Sequence, residues 1–598
     1  MKAWELILVW KEKKLISDLE KEFVRFLLKL DEKLPEEVIF AAAACIHAQQ
    51  NGHLCFDLNN SPEWLFEDEK SGIELHEKRL NTWQEALESC SLVSKDGSLQ
   101  PLVLEGGRLY LHRYWNYEEE LSAWLKGKSK RTNSIDTETK EAIQKFVKPG
   151  SDLFQIDWQQ VALGLSFLKD LVVISGGPGT GKTHTVINIL AAHALVYSKK
   201  YKVALAAPTG KAARRLIESV DAGRDNIPKE IIVKTNLPES AFTVHKLLGS
   251  NATGTHFKYN KENKLPYDLV VIDEASMLDI TMWVRLIRAL DENTKLVVLG
   301  DKDQLASVEA GSILGDICEG ENTFSGSISS ALQKLLAVSV PFSENEISLN
   351  DCVVFLTKSY RFGENSGIQK LAKAINESDV KAAMEVLKSP KYPDVKWINP
   401  TLGEIEKLIH EYAVDHHTWY SGKSREEQLL ASHQKKILCA LRRSKQGVEE
   451  LNRVAEKLIR RKLKVLNSQE WYPGRIVMAT RNNNILKLRN GEIGIYKKED
   501  SGYIEFNSQE KNKISTTRLI DYEPAYAITI HKSQGSEFND IAILLSDEEN
   551  SLLSKEILYT SVTRARENTL ICASEFIIKK TIQNNVWRNS GLKEKIWG

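Results

Sequence analysis

Near the start of the chain, Leu15, Leu19, Phe23, Phe26, Leu27 and Leu30 recur three or four positions apart, which predicts a helix with one apolar face. Pro35 opens a second helix, Val38 to Gln50, and Gly52 closes it. A polar, basic stretch from Lys126 to Thr139 reads as a linker. From Phe154 the texture changes. Short apolar runs at Leu171–Ile174, Val203–Ala206, Leu269–Ile272 and Leu296–Leu299 alternate with helical stretches. Such runs predict a parallel sheet with helices on both faces. A second set starts near Asp351, with Val353–Leu356, Lys436–Ala440, Ile541–Leu545 and Thr569–Ala573. Between Trp471 and Phe506 the segments Arg475–Thr480, Gly491–Tyr496 and Tyr503–Phe506 read as short strands joined by Asn- and Gly-containing turns. The fold class is therefore α/β: a mainly helical N-terminal domain over 1–145, one α/β domain over 146–345 and another over 346–598, with a small β insertion at about 468–522.

Composition narrows this little. With 598 residues, 42% hydrophobic and 27% charged, the chain is an ordinary globular protein of several domains. Lys plus Arg equals Asp plus Glu at 81 each, so any nucleic-acid site must be a local groove rather than an overall basic charge. The seven cysteines are scattered without a CxxC pair, which indicates neither a zinc ribbon nor an iron–sulfur cluster and fits a reducing compartment. No signal peptide and no apolar run of membrane-spanning length is apparent, so a cytoplasmic location is expected. His47 and His53, in the helical front region, read as structural or surface residues.

The chemistry starts at Gly176-Gly177-Pro178-Gly179-Thr180-Gly181-Lys182-Thr183, which satisfies GxxxxGK[ST] between a strand and a helix running to about Ala194. Glycines let backbone N–H groups wrap phosphates, and the helix N-terminus favours their charge. Lys182 is expected on the β- and γ-phosphates and Thr183 on Mg²⁺. The strand Leu269–Ile272 ends in Asp273-Glu274, a Walker B pattern in which Asp273 serves the metal and Glu274 takes a proton from the attacking water. The strand Leu296–Leu299 ends in Gly300-Asp301-Lys302-Asp303-Gln304, which places Gln304 at the same ligand edge. An Mg²⁺-dependent NTPase is implied.

The order of motifs across residues 155–575 resembles superfamily 1 helicases. Gln159 resembles the adenine-reading glutamine, and Pro208-Thr209-Gly210-Lys211 and Thr243-Val244-His245-Lys246 resemble two DNA-contacting motifs. Ser359-Tyr360-Arg361-Phe362 resembles the motif whose arginine reaches ATP from the second domain. Thr529 to Glu537 and Tyr559 to Arg566 resemble the last two motifs. The resemblance implies two RecA-like domains, an SH3-like insertion and ATP contacts from Gly535 and Glu537, and Gln304, Arg361 and Arg564 are expected to couple the phosphate chemistry to closure of the cleft. It also implies DNA contacts from Pro208, Thr209, Thr243, His245, His531, Lys532 and Ser533. Ser359–Gly363 with Ser366-Gly367-Ile368, and Gly474-Arg475 with Gly491–Gly494, are similar to the RecD family of RecBCD-type enzymes, as are Asn51–Cys55 and Arg108–Trp115 in the front domain. That likeness implies 5′→3′ polarity, RecB-like and RecC-like partner subunits, single-stranded and duplex DNA ends as substrate, and break resection by the complex. The front domain would dock onto the gamma subunit.

No nuclease constellation is present in the sequence, so exonuclease activity is expected of the complex only. Three alternatives remain at this level: a stand-alone RecD-like helicase, a P-loop ATPase remodelling protein or RNA complexes, and an architectural subunit. The segment His256–Lys264 could be a strand-splitting hairpin or a solvated loop.

Overall fold

The computed structural model describes residues 3–598 except 60–79, 148–155, 198–200, 225–226, 228–236, 252–253, 255, 308, 345–348, 364, 422, 432–433, 467, 484, 500–501, 507–512, 549 and 551. Phe154, where the sequence texture changes, lies outside the described residues.

Near the N-terminus the local chemistry corrects the predicted helix. The Ser17 hydroxyl accepts the Leu19 N–H at 3.1 Å, and Glu20 accepts the Ser17 N–H at 3.0 Å. This capping box starts the helix Asp18–Leu30 and leaves Leu15 outside it. A further helix, Ala3–Glu12, precedes it and buries Leu6, Ile7 and Trp10. The periodic positions divide: Leu19, Phe26 and Leu30 are about half exposed, whereas Phe23 packs against the domain core and Leu27 is buried there with Val24. The predicted second helix is Glu36–Gln50, and Gly52 follows at φ +89°. The helices pack on a small sheet ordered Phe56–Asp57, Arg108–Leu111, Leu102–Glu105, Val93–Ser94, which two- to four-residue strands left invisible to periodicity.

The expected linker is not one. The helix His112–Lys130 continues through its first part, because Lys128 turns inward and donates to the Glu292 and Thr294 carbonyls at 2.6 and 3.2 Å. A lysine whose ammonium finds carbonyls is polar in sequence yet buried in the fold.

The first α/β domain holds a six-stranded sheet with all pairings parallel, in the order Val353–Leu356, Leu171–Gly176, Lys295–Gly300, Leu269–Ile272, Val203–Ala207, Ala241–Thr243. Strand alternation splits the side chains. Leu171, Val173, Val270 and Val298 enter one core with Trp283, whereas Val172, Ile174, Val271 and Val297 enter the other. Val353–Leu356, expected in the second domain, pairs with Leu171–Gly176 instead. Nothing in a four-residue apolar run says which sheet edge will accept it.

The second sheet is also parallel, ordered Val395–Ile398, Ala565–Cys572, Phe538–Leu544, Lys435–Cys439, Ala527–Thr529. Between its fourth and fifth strands the chain builds a separate antiparallel sheet of five short strands, from Ile476–Ala479 to Tyr522–Pro524. Residues 256–264 make a turn-rich excursion rather than a two-stranded hairpin. One bridge, Ser250 to Phe257, holds it, and the Arg285 guanidinium stacks 4.4 Å over the buried Phe257 ring. No helix among the described residues is long and apolar enough to cross a membrane, and all seven cysteines are free.

Candidate nucleotide and DNA site

The strand Leu171–Gly176 delivers the glycine loop at the carboxyl edge of the first sheet, and the helix Lys182–Tyr197 leaves it. Gly179 and Gly181 stand at φ +76° and +83°, conformations that side chains resist. The loop is braced internally: the Thr180 hydroxyl donates to the Gly177 carbonyl at 2.8 Å, and the Lys182 ammonium donates to the Gly176 and Gly177 carbonyls. Thr183 follows on the first helical turn, half-buried, and Pro178 sits at the loop's bend.

Asp157 caps the helix Trp158–Leu168, which puts Gln159 beside the loop. The Gln159 amide donates to the Thr180 carbonyl at 3.0 Å and its oxygen faces His184 Nδ1 at 3.2 Å. A cleft of about 480 Å³ opens here, lined by Phe146, Gln159, Leu163, His184, Asn188 and Tyr360. The Tyr360 ring, 59% exposed, stands at its mouth. An apolar slot with one bidentate amide suits a flat heterocycle.

Asp273 and Glu274 follow the strand Leu269–Ile272. Glu274 is left-handed at φ +54°, a strain of about 1–3 kcal/mol for a non-glycine residue. Its N–H donates to Asp273 Oδ1 at 2.8 Å. Burial first, and the neighbouring Glu274 charge second, push the Asp273 carboxyl up to about 6. A half-buried acid pair of this kind suits a divalent cation. Among the described residues no three His, Cys, Asp or Glu side chains gather into a metal cage.

The structure turns Gln304 inward. It is 6% exposed and donates to Asp301 Oδ2 at 2.9 Å. Tyr559 of the second domain donates to the same oxygen at 3.0 Å, and a Cβ on Gly177 would meet the Tyr559 hydroxyl at 3.1 Å. The next residue, Leu305, donates its N–H to the Thr560 hydroxyl at 2.9 Å and accepts from Gln534 at 2.9 Å. This strand end is thus a joint between the two domains. Tyr559, Tyr360 and Asp301 were not singled out from sequence. Each lies inside a motif string, which was the available signal.

Arg361 crosses to the loop. The Tyr360 N–H donates to the Gly179 carbonyl at 2.7 Å, and a Cβ on Gly179 would strike the Arg361 Cβ at 2.3 Å. Arg361 Nη1 is buried without a hydrogen-bond partner, while Nη2 is bonded to Glu537. Glu537 is also held by Arg215 and by Arg566, the latter at 2.9 Å. Arg564 is 3% exposed and donates to the Thr560 carbonyl at 3.1 Å and the Ser536 carbonyl at 3.3 Å. A Cβ on Gly535, which is expected at ATP, would meet Ala212 of the helix Gly210–Arg224 at 3.5 Å.

The DNA candidates form two matching turns and one helix start. Pro208 is half-buried at the end of its strand, and Thr209 caps the helix Gly210–Arg224, accepting the Ala212 N–H at 3.2 Å. Thr243 caps a one-turn helix by accepting the Lys246 N–H at 3.2 Å, which leaves His245 and Lys246 exposed. Thr529 repeats this with the Lys532 N–H at 3.4 Å; His531 is half-buried and Lys532 is paired with Glu523 at 2.6 Å. Ser533 departs from expectation. It is fully buried, its hydroxyl donating to the Ile530 carbonyl at 2.6 Å, so it braces the turn from inside.

Comparison with known proteins adds the lineage. Residues 12–110 match the family described as RecBCD enzyme subunit RecD, N-terminal domain; 159–310 match an AAA domain, and 524–572 a UvrD-like helicase C-terminal domain. RecBCD enzyme subunit RecD of Haemophilus influenzae is 32% identical, with 94% of this chain and 93% of that protein covered. The same subunit of Mycolicibacterium smegmatis is 31% identical over 95% of each. The ATP-dependent RecD2 DNA helicase of Deinococcus radiodurans is 28% identical over 71% of this chain and 50% of its own length. A solved Pif1 helicase overlaps 71% of this chain and 94% of its own at 20% identity and a TM-score of 0.38. With a matching front domain, a two-part motor and whole-length likeness at this level, the chain belongs to the RecD family of superfamily 1 helicase subunits.

Proposed function

We propose that this chain is the ATP-driven 5′→3′ DNA motor of a RecBCD-type helicase–nuclease, working at DNA ends with RecB-like and RecC-like partners. The observation that carries it is the cleft. Arg361 and Tyr559 of one α/β domain stand against Gly179 and Gly177 of the other, and a Thr-capped His-Lys turn sits at the edge of each sheet. The likeness to RecBCD subunits runs over nearly their whole length and includes the front domain, which favours the subunit reading.

The chemistry follows from the side chains. The Gln159 slot receives the base of ATP. The Lys182 ammonium exchanges the Gly176 and Gly177 carbonyls for β- and γ-phosphate oxygens, and the loop N–H groups point the same way. Thr183 and Asp273 would hold Mg²⁺, which would supply Lewis-acid charge at the phosphate oxygens when bound. Glu274, fixed by its left-handed backbone, accepts a proton from the attacking water. Arg361, with a nitrogen still to satisfy, reaches the γ-phosphate, and Arg564 lies behind it. Closure of the cleft thereby depends on the third phosphate, and its loss lets the domains part. Two turns gripping one strand, one per domain, convert that cycle into a step. Their contacts are to phosphate and base faces, which makes the motion indifferent to sequence.

The test is strand separation on duplexes carrying only a 5′ tail or only a 3′ tail. Unwinding of the 5′-tailed substrate alone, lost in Lys182→Gln, is the expected result. An ATPase indifferent to DNA in a folded chain would remove the motor and leave an NTPase.

A further inference from the structure

The helix Gly210–Arg224 begins at the DNA-side turn Pro208-Thr209, and its first turns carry Lys211, Arg214 and Arg215. Lys211 and Arg215 are four residues apart and share a face. All three look toward the second domain. Arg214 pairs with Glu492 of the β insertion at 3.2 Å, and the Lys211 ammonium is buried in the fields of Arg215, Glu492 and Arg564. Arg215 pairs with Glu537.

Glu537 is a shared carboxylate. Arg215, from the first domain, and Arg361, from the second, bond the same oxygen, Oε1, and Arg566 takes Oε2. Burial opposes the Glu537 charge, but Arg215 and then Arg361 hold the carboxyl well below the usual carboxylate range. Glu274 and Asp273 also act on Arg215 through space. One guanidinium therefore stands between the acid pair of the first domain and the carboxylate that holds Arg361. It rides on a helix whose capped start is the expected DNA contact, about 9 Å away at 1.5 Å per residue. A helix transmits a displacement over that distance with little loss, and an arginine fork on a carboxylate resists rotation better than a lysine.

We propose that Arg215 is a positioning residue for ATP hydrolysis that links the DNA-facing end of its helix to the nucleotide cleft through Glu537. The inference rests on the motor reading above. An exposed ion pair contributes little and is dispensable. This pair differs because Glu537 is largely buried, Arg215 is half-buried, and the carboxylate is shared with Arg361. Strand engagement at Thr209 and the setting of Arg361 become one event, so hydrolysis runs fast only when DNA is held.

The experiment uses the purified chain, oligo(dT) as the strand, and ATPase rates with and without it. Oligo(dT) affinity is measured in parallel by anisotropy, with and without a non-hydrolysable ATP analogue. For Arg215→Gln the DNA-stimulated kcat should fall about tenfold, within the usual range of site-to-site coupling, with KM for ATP changed by less than about threefold. The effect of the analogue on oligo(dT) affinity should flatten. Arg215→Lys should recover part of both. Combining Arg215→Gln with Glu537→Gln should add little to Glu537→Gln alone, since both act through one contact. An Arg215→Gln chain that melts like the parent and keeps the parental kcat and analogue response overturns the inference while leaving the motor intact. So does a loss seen only as a lower melting temperature that Arg215→Lys fails to restore. A parent chain whose ATPase ignores oligo(dT) overturns both readings together.

Discussion

The two α/β domains carry nearly the same five residues at the same place: Thr243-Val244-His245-Lys246-Leu247 after one edge strand and Thr529-Ile530-His531-Lys532-Ser533 after the other. In both, the threonine caps a single turn and the apolar second residue is buried. The local outcome is identical because the capping bond needs only the hydroxyl and an N–H three residues on. The fate of the charges differs. Lys246 is exposed, 5.7 Å over the Phe242 ring, whereas Lys532 is tied to Glu523, which also receives Arg442 at 3.2 Å. A second contrast lies in the neighbouring strands. The second residue of Val203–Ala207 is Ala204; the second residue of Lys435–Cys439 is Lys436, 1% exposed, its ammonium donating to the Ala525 carbonyl at 2.8 Å. Matching positions in matching folds thus hold different electrostatic states, set by what packs on them.

The largest way to separate the domains is through the nucleotide. Arg361→Ala, from the second domain, should cut the ATPase kcat by about 10³-fold, the scale of a lost trans arginine, while nucleotide binding by the first domain persists. Equilibrium binding of a fluorescent ATP analogue beside steady-state rates checks this; equal losses in both would mean the residue serves binding.

Next comes the buried lysine. Burial, and then the Lys211 charge, push Lys436 down to about 7 from an ordinary value of 10.5. The unfolded chain therefore binds the extra proton between these values, and this group makes stability rise with pH across that window. Lys436→Met should be more stable than the parent at pH 7, and the advantage should shrink as pH climbs toward 10.5. Denaturant melts of both chains over pH 7–10 test it, and a constant difference would contradict it.

Smaller still is the contrast between the two turns. Lys246→Ala should weaken oligo(dT) binding and lower its salt slope by about one, as expected for one phosphate contact. Lys532→Ala should change the slope less, because that ammonium is engaged by Glu523. Salt titrations of the two variants decide; equal slopes would erase the distinction. Finally, Thr243→Ala and Thr529→Ala should each cost about 1 kcal/mol in chemical denaturation, the ordinary value of a lost cap. Unequal costs would show that tertiary packing, not the cap, holds one of the turns.

Much of this was legible along the chain. The strands Leu171–Gly176, Leu269–Ile272 and Lys295–Gly300 announced themselves because fully buried parallel strands must be apolar on both faces. The glycine loop was legible because positive φ beside a helix start needs glycine at Gly179 and Gly181. Other features were decided by contacts distant in sequence. The strand Val353–Leu356 joined the first sheet because an edge was open there. Lys128 is buried because carbonyls of residues 292 and 294 await it. Ser533 turned inward, and Glu537 became the meeting point of Arg215, Arg361 and Arg566, because three segments converge on it. Local bonding and periodicity reach only a few residues, so they specify elements, caps and loops. Which charge meets which partner depends on surfaces brought together from hundreds of residues apart, and those pairings exist only in the folded chain.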